Sequence, residues 1–386
     1  MAPSNINTNA LSTTDRPVLV SGAGFAGLAT AIWLSQLGHR VTIVEAATAL
    51  RRGGTPVDIE GETIDVLNRM GLFEAVRAKT LPPRDFEFKD ENDVTLGAME
   101  ADSDPAAQAR YEIHRDDLLD ILADALPKEV EVLFGRSIEC LVEDADGVSV
   151  TLNDGSQRDY ALVFGCDGNR SNTRRLAFGA CDQFTYFMGG YFFLKVVPHT
   201  GLLPANRSQV FSVPGRTALL NGYDDRTDIG FGFRTDQEID YDYRNRAQQR
   251  SLIQTYFHGL QWKVPAMLAS VEADDDFYFD RINQIRMPCW SRGRVTLVGD
   301  AGYCLSPLAG FGGSMAIIGA GRVADALTRY PQDHVAAFRH YEDGLRPFVE
   351  DVQVRAATSG LEMMFPANDA EFVERDRKLA AGDIDL

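Results

Sequence analysis

The sequence predicts an α/β fold: a Rossmann-like unit opens the chain, a mixed β-sheet is inserted into it, and helices close the C-terminal end. Three observations predict this. A short apolar strand, a glycine-rich turn and an apolar helix follow one another near the start. The middle is a run of short alternating strands rich in aromatic residues. The last part returns to a buried-type strand followed by long helical patterns.

The elements follow in order. Met1 to Asp15 is polar, with neither a basic start nor an apolar h-region, so residues 1–15 are expected to be a disordered tail of a cytoplasmic protein. Arg16 to Ser21 (RPVLVS) is β-branched and apolar and stops at glycine, which predicts a buried strand. Phe25 to Leu37 is Ala- and Leu-rich with Gly38 at its C-terminal stop, and Val41 to Glu45 (VTIVE) is a second buried strand. Gly61 to Met70 predicts a short helix ended by Gly71. Asp116 to Leu126 predicts another, with acidic residues in the first turn, where the helix dipole favours them.

From Val130 the segments VEVLF, IECLV, VSVTL and YALVFG, separated by turn signals at Asp146-Gly147 and Asn153-Asp154-Gly155, predict a small antiparallel meander. Asp182 to Asp280 is β-rich with a helix near Tyr241 to His258. Arg294 to Gly299 (RVTLVG) is a parallel-type strand, Gly312 to Arg329 a long helix, and His334 to Phe365 helical. The expected organisation is a discontinuous nucleotide-binding domain (16–75, 102–181 and 281–330), a substrate-binding domain (76–101 and 182–280) and a C-terminal helical segment (331–386).

A formal charge of -18 disfavours a nucleic-acid or anionic membrane partner, because such surfaces require clustered Lys and Arg. No run of about 18 apolar residues spans a bilayer, so no stable membrane insertion is expected, and a monomer is expected. Five scattered cysteines form no CxxC pair and six histidines no ligand spacing, so neither disulfides nor a metal are expected.

Gly22-Ala23-Gly24-Phe25-Ala26-Gly27 is GxGxxG between the first strand and its helix. The first glycine permits the tight turn, the second lets a pyrophosphate approach the backbone, and the third lets helix and strand pack closely. Glu45, followed by Ala46, ends the second strand 18 residues past Gly27 and can accept hydrogen bonds from a ribose hydroxyl pair. An acidic residue there disfavours a 2′-phosphate, leaving FAD or NAD as the held nucleotide.

Two later segments carry a resemblance. Asp167-Gly168-Asn169-Arg170-Ser171-Asn172-Thr173-Arg174 matches DGxxSxxR, and Gly299-Asp300-Ala301 with Pro307, Gly310, Gly312 and Gly313 matches a GD pattern followed by its proline and glycine-rich turn. With GxGxxG in the same order, the chain resembles the single-component, class A FAD-dependent monooxygenases over nearly its whole length. The resemblance implies the p-hydroxybenzoate hydroxylase type of fold and FAD as cofactor. It implies that Asp300 binds ribityl hydroxyls, that Gly312 and Gly313 offer N–H groups to the flavin pyrimidine end, and that Arg115 lies on the phosphate or ribityl side. It places Asp58 near the flavin ring. Arg51 and Arg52 lie over the adenine or phosphate, or are solvated. Asp167 and Arg174 support FAD and the passing use of NADPH or NADH, or else Asp167 caps the next helix.

The chemistry so implied is the cofactor's: NAD(P)H reduces the flavin, O2 adds, and a flavin C4a-hydroperoxide hydroxylates a bulky aromatic or polycyclic substrate. No catalytic side chain is expected. The GGTPVDIEG and GDAGYCLSPLAGFGGSMAIIGA stretches are similar to those of tetracycline-inactivating monooxygenases, although Tyr303 stands where others of that group have His. Tetracycline inactivation, and so antibiotic resistance, is thus one expected outcome. Hydroxylation of another aromatic or polyketide metabolite is the alternative, and a non-catalytic FAD-binding sensor the alternative of another class. Phe231 and Phe233 share a strand face, with Arg234 on the other, and are expected to wall the substrate site.

Overall fold

The computed structural model describes residues 17–100, 109–198 and 201–381. The expected N-terminal tail lies outside the described residues.

The first strand, Pro17–Ser21, sits at the centre of a six-stranded sheet. It pairs in parallel with Arg40–Glu45 on one side and Leu162–Gly165 on the other; Glu131–Phe134 and Val295–Leu297 extend the sheet, and Ser291–Arg292 adds an antiparallel edge. Val18, Leu19 and Val20 are fully buried because helices and a second small sheet cover both faces, which is why this strand reads as a continuous apolar run. Helices Phe25–Gln36 and Gly312–Arg329 pack against each other and share one apolar core with Trp290, Tyr303 and Phe338.

The predicted four-strand meander is corrected. VEVLF and the LVFG of YALVFG are not part of it: Glu131–Phe134 and Leu162–Gly165 are strands of the parallel sheet, and only Tyr160 belongs to the meander. Only Ile138–Glu143, Val148–Leu152 and Gln157–Tyr160 form the antiparallel meander. Short apolar strands of the two kinds carry the same local pattern, and only long-range pairing separates them.

A seven-stranded sheet occupies the middle of the chain. Its order is Tyr278–Ile285, Thr185–Pro198, Arg226–Arg234, Arg216–Gly222, Arg207–Val213, Asp85–Lys89 and Thr95–Met99. The strand Tyr278–Ile285 runs across the boundary expected at 280/281. One face of this sheet is covered by helices Arg246–Phe257 and Val264–Glu272, the second of which the sequence reading did not expect. After the helix His334–Arg355, a π-helical turn at Ala356–Gly360 redirects the chain, and Phe365 seats on the opposite face, where a Cβ at Gly232 would come within 2.0 Å of its ring. No described helix is long and apolar enough to cross a membrane.

Candidate active site

The glycine-rich turn is built by close approach. Gly22 has φ +105°, donates its N–H to the Val44 carbonyl at 2.7 Å, and would push a Cβ to 2.5 Å from the Cys166 carbonyl oxygen. At Gly27 a Cβ would lie 1.9 Å from the Gly22 oxygen, so helix and turn meet only without a side chain. Gly24 is different: nothing stands within 4 Å of a Cβ there. The open space lies at the N-terminus of the helix Phe25–Gln36, where backbone N–H groups have no intrahelical acceptor.

Glu45 stitches this turn to the next loop. Its Oε2 accepts from the Ala23 N–H at 2.9 Å and its Oε1 from the Ala47 N–H at 2.8 Å, while exposed Arg51 stands 3.9 Å away. Each oxygen keeps a second lone pair for a ribose hydroxyl. Ala46 is exposed beside it.

Arg115 begins its helix on the same side. Its Nη1 donates to the carbonyls of Arg51 (3.0 Å) and Gly53 (3.1 Å), and its guanidinium stands 5.2 Å over the Phe25 ring. Among the described residues it has no carboxylate at ion-pair distance, and burial lowers its pKa. A desolvated cation held by carbonyls beside a helix N-terminus fits a pyrophosphate.

The later motif closes onto the earlier one. A Cβ at Gly299 would touch Ala26 at 3.2 Å, and one at Gly313 would meet Val57 at 2.9 Å and the Phe25 ring at 3.4 Å. Gly310 takes φ +71° to end the turn Pro307–Ala309, and the space beyond Gly312 is open at the N-terminus of the 18-residue helix. Asp300 heads the short helix Asp300–Tyr303, and desolvation pushes its pKa up to about 6. A carboxyl so placed gains from a hydroxyl partner that restores its lost hydration.

Other expectations are redirected. Asp167 accepts from the Thr173 N–H (2.8 Å), the Thr173 hydroxyl (2.9 Å) and the Ser171 hydroxyl, which fixes the start of the helix Asn172–Phe178, and from the Ser21 hydroxyl of the first strand at 3.4 Å. These bonds support the capping reading of Asp167. Arg174, 1% exposed, donates to the Ala301 carbonyl at 2.8 Å and the Asn169 carbonyl at 2.6 Å, clamping the loop that carries Asp300. Arg52 forms a bidentate pair with Asp120, and the Asp58 carboxylate pairs with Arg110 at 2.7 Å, so neither side chain points freely at the site; the Asp58 carbonyl instead accepts from Ser314.

Phe231 and Phe233 do not wall a substrate site. Both are fully buried on the helix-covered face, stacked among Phe193, Tyr256, Phe257 and Phe279. Strand alternation put them on one face correctly, but which face meets the cofactor side depends on the helices that the chain packs there.

Sequence reasoning missed Ser306, a buried non-glycine residue at φ +93° whose hydroxyl accepts from the Leu308 N–H just before the Pro307 turn. Its Ser-Pro pair at the start of a turn was the available signal.

Comparison with known proteins agrees with this geometry. Residues 15–186 match the model of an FAD binding domain. The uncharacterized protein Rv1260 of Mycobacterium tuberculosis is 37% identical over 349 residues, covering 87% of this chain and 91% of that protein. A flavin-dependent monooxygenase from an unknown prokaryotic organism is 32% identical over 342 residues, covering 87% of each. The crystal structure of tetracycline destructase Tet(51) superposes with a TM-score of 0.85 at 30% identity, covering 95% of this chain and 96% of that one. The glycine turn, the partly buried Arg115 and the second helix that starts on glycines thus sit in a chain that belongs to the class A, FAD-dependent monooxygenases.

Proposed function

We propose that this enzyme consumes NAD(P)H and O2 to hydroxylate a bulky aromatic or polycyclic substrate, with tetracyclines the first class to test. The observation that carries the reading is the convergence of Phe25, Gly299 and Gly313, which joins two open helix N-termini across one site with Arg115 at its edge. The 0.85 superposition on Tet(51) supports the substrate class.

In this reading the amides beyond Gly24 and the Arg115 guanidinium hold the pyrophosphate, Glu45 the ribose, and Asp300 the ribityl hydroxyls. Gly312 and Gly313 present N–H groups to the flavin pyrimidine end, where the dipole of an 18-residue helix favours negative charge. When bound, the flavin supplies the oxygen chemistry, and the protein's part is to orient the substrate and exclude water.

The test is direct. The purified yellow protein should oxidise NADH or NADPH faster when a tetracycline or related polycycle is present, and mass spectrometry should show the substrate heavier by one oxygen. Rapid peroxide formation with unchanged substrate mass across a polyketide and phenol panel would reject the hydroxylase reading.

A further inference from the structure

The face of the seven-stranded sheet opposite the aromatic core holds a hydrogen-bond relay that the cofactor site does not use. Ala218 and Leu220 point into that core, so Thr217, Leu219 and Asn221 point the other way, toward the side where Arg84 meets Glu112 on the strand Arg110–Ile113. Phe192, Leu219 and Asn221 are only half-buried there, and Gly230 and Gly232 carry no side chain beyond their backbone.

Three residues in a row set a polarity. Arg84 Nε can only donate, and it donates to the Ser208 hydroxyl at 3.4 Å. The single hydroxyl proton of Ser208 then goes to Asn221 Oδ1 at 2.8 Å. The carbonyl end of the amide is therefore committed to Ser208, and the Nδ2 donors of half-buried Asn221 have no protein acceptor among the described residues. Ser208 is 3% exposed and Arg84 is locked to Glu112 at 2.5 Å, so the relay is rigid.

The charges on this face decide what the donor can select. Arg84, Arg226, Arg234 and Arg375 each have a carboxylate partner at 2.5 to 3.0 Å, so the positive charge of each is already countered, although the buried Arg84 Nη1 has no hydrogen-bond partner among the described residues. Asp228, paired in register with Asn221 and 2% exposed, adds a further buried carboxyl group. The chemistry favours a neutral acceptor oxygen over an anionic one.

We infer that Asn221, held by Arg84 and Ser208 as positioning residues, is the substrate-facing donor, and that it selects ring systems bearing a ketone or enol oxygen over aromatic carboxylates. This rests on the proposed function in placing the substrate against this sheet face.

The experiment is isothermal titration calorimetry of the enzyme as purified with three probes: a hydroxytetralone, the tetrahydronaphthol of the same skeleton without the ketone, and salicylate. Wild type should prefer the tetralone to the naphthol by about ten-fold, the worth of one hydrogen bond, and bind salicylate weakest. Asn221→Leu should abolish that preference, and Ser208→Ala should reduce it to a few-fold while leaving naphthol affinity unchanged. A purely structural role would weaken both ligands alike. Should Asn221→Leu fail to fold, Asn221→Ala, which likewise lacks a side-chain donor, carries the same expectation. The inference is overturned by equal or absent binding of ketone and naphthol to wild type, by a preference that survives in the Asn221 variant, or by tighter binding of salicylate. Intact ketone preference without any NAD(P)H-driven oxygen insertion would reject the proposed reaction and leave the anchor standing.

Discussion

Arg174 Nη1 donates to the carbonyl oxygen of Ala301 at 2.8 Å, so the DG segment holds the loop of the GD segment from 127 residues away in sequence. The guanidinium is 1% exposed and is also bound to the Asn169 carbonyl. Arg174→Leu would leave two buried carbonyls without donors at about 1–3 kcal/mol each. We expect a fall in unfolding free energy of about 2–5 kcal/mol, measured by urea denaturation, together with loss of flavin during gel filtration. Retained flavin with a large stability loss would mean that the clamp does not position Asp300.

The glycines of the first turn separate folding from binding. Gly27→Ala places a Cβ on the Gly22 oxygen and should destabilise the chain by about 3 kcal/mol or more, as forced overpacking does. Gly24→Ala meets nothing in the fold, so its thermal midpoint should stay within about two degrees of wild type, a change of roughly 0.5 kcal/mol. Flavin affinity should nevertheless fall at least about ten-fold, because the side chain occupies the pyrophosphate approach. Fluorescence titration of the apoprotein with FAD reads the difference.

Asp228 makes stability fall with rising pH. Burial pushes its pKa from 3.8 up to about 7, against one long hydrogen bond from Tyr223 at 3.3 Å. The groups that face it are Tyr223, Arg84, Arg226 and Glu112. Below the unfolded value both states hold the proton. Between that value and about 7 the unfolded chain releases it while the folded one keeps it, so the folded state is progressively disfavoured, and the effect is complete above about pH 7. Asp228→Asn should remove this slope and raise the thermal midpoint at pH 8 relative to wild type while changing it little at pH 4. Parallel stability curves for the two proteins would refute the account.

Phe231 belongs to the core and not to the site. Phe231→Ala should cost about 3–5 kcal/mol through the cavity it leaves among Phe193 and Phe257. Phe231→Leu should cost less and leave the Michaelis constant for any accepted substrate unchanged. A shift in that constant with unaltered stability would restore the earlier expectation of a substrate wall.

The sequence by itself determined the glycine-rich turn, since Gly22, Gly24 and Gly27 lie at fixed spacing within one strand, turn and helix. It placed Glu45 at the end of the second strand and gave the helix Gly312–Arg329 for the same reason: the signals are short-range and periodic. Tertiary structure alone decided that VEVLF and LVFG join the parallel sheet, because strand pairing is a contact between distant segments that no local pattern records. It decided that Phe231 and Phe233 face helices, since alternation assigns residues to two faces without saying which is covered. It likewise turned Asp167 into a helix cap, paired Arg52 with Asp120, and left Arg115 desolvated and without a carboxylate partner among the described residues. Charged side chains reach several ångströms in any direction, so their partners, and hence their roles, are set only when the fold brings neighbours into range.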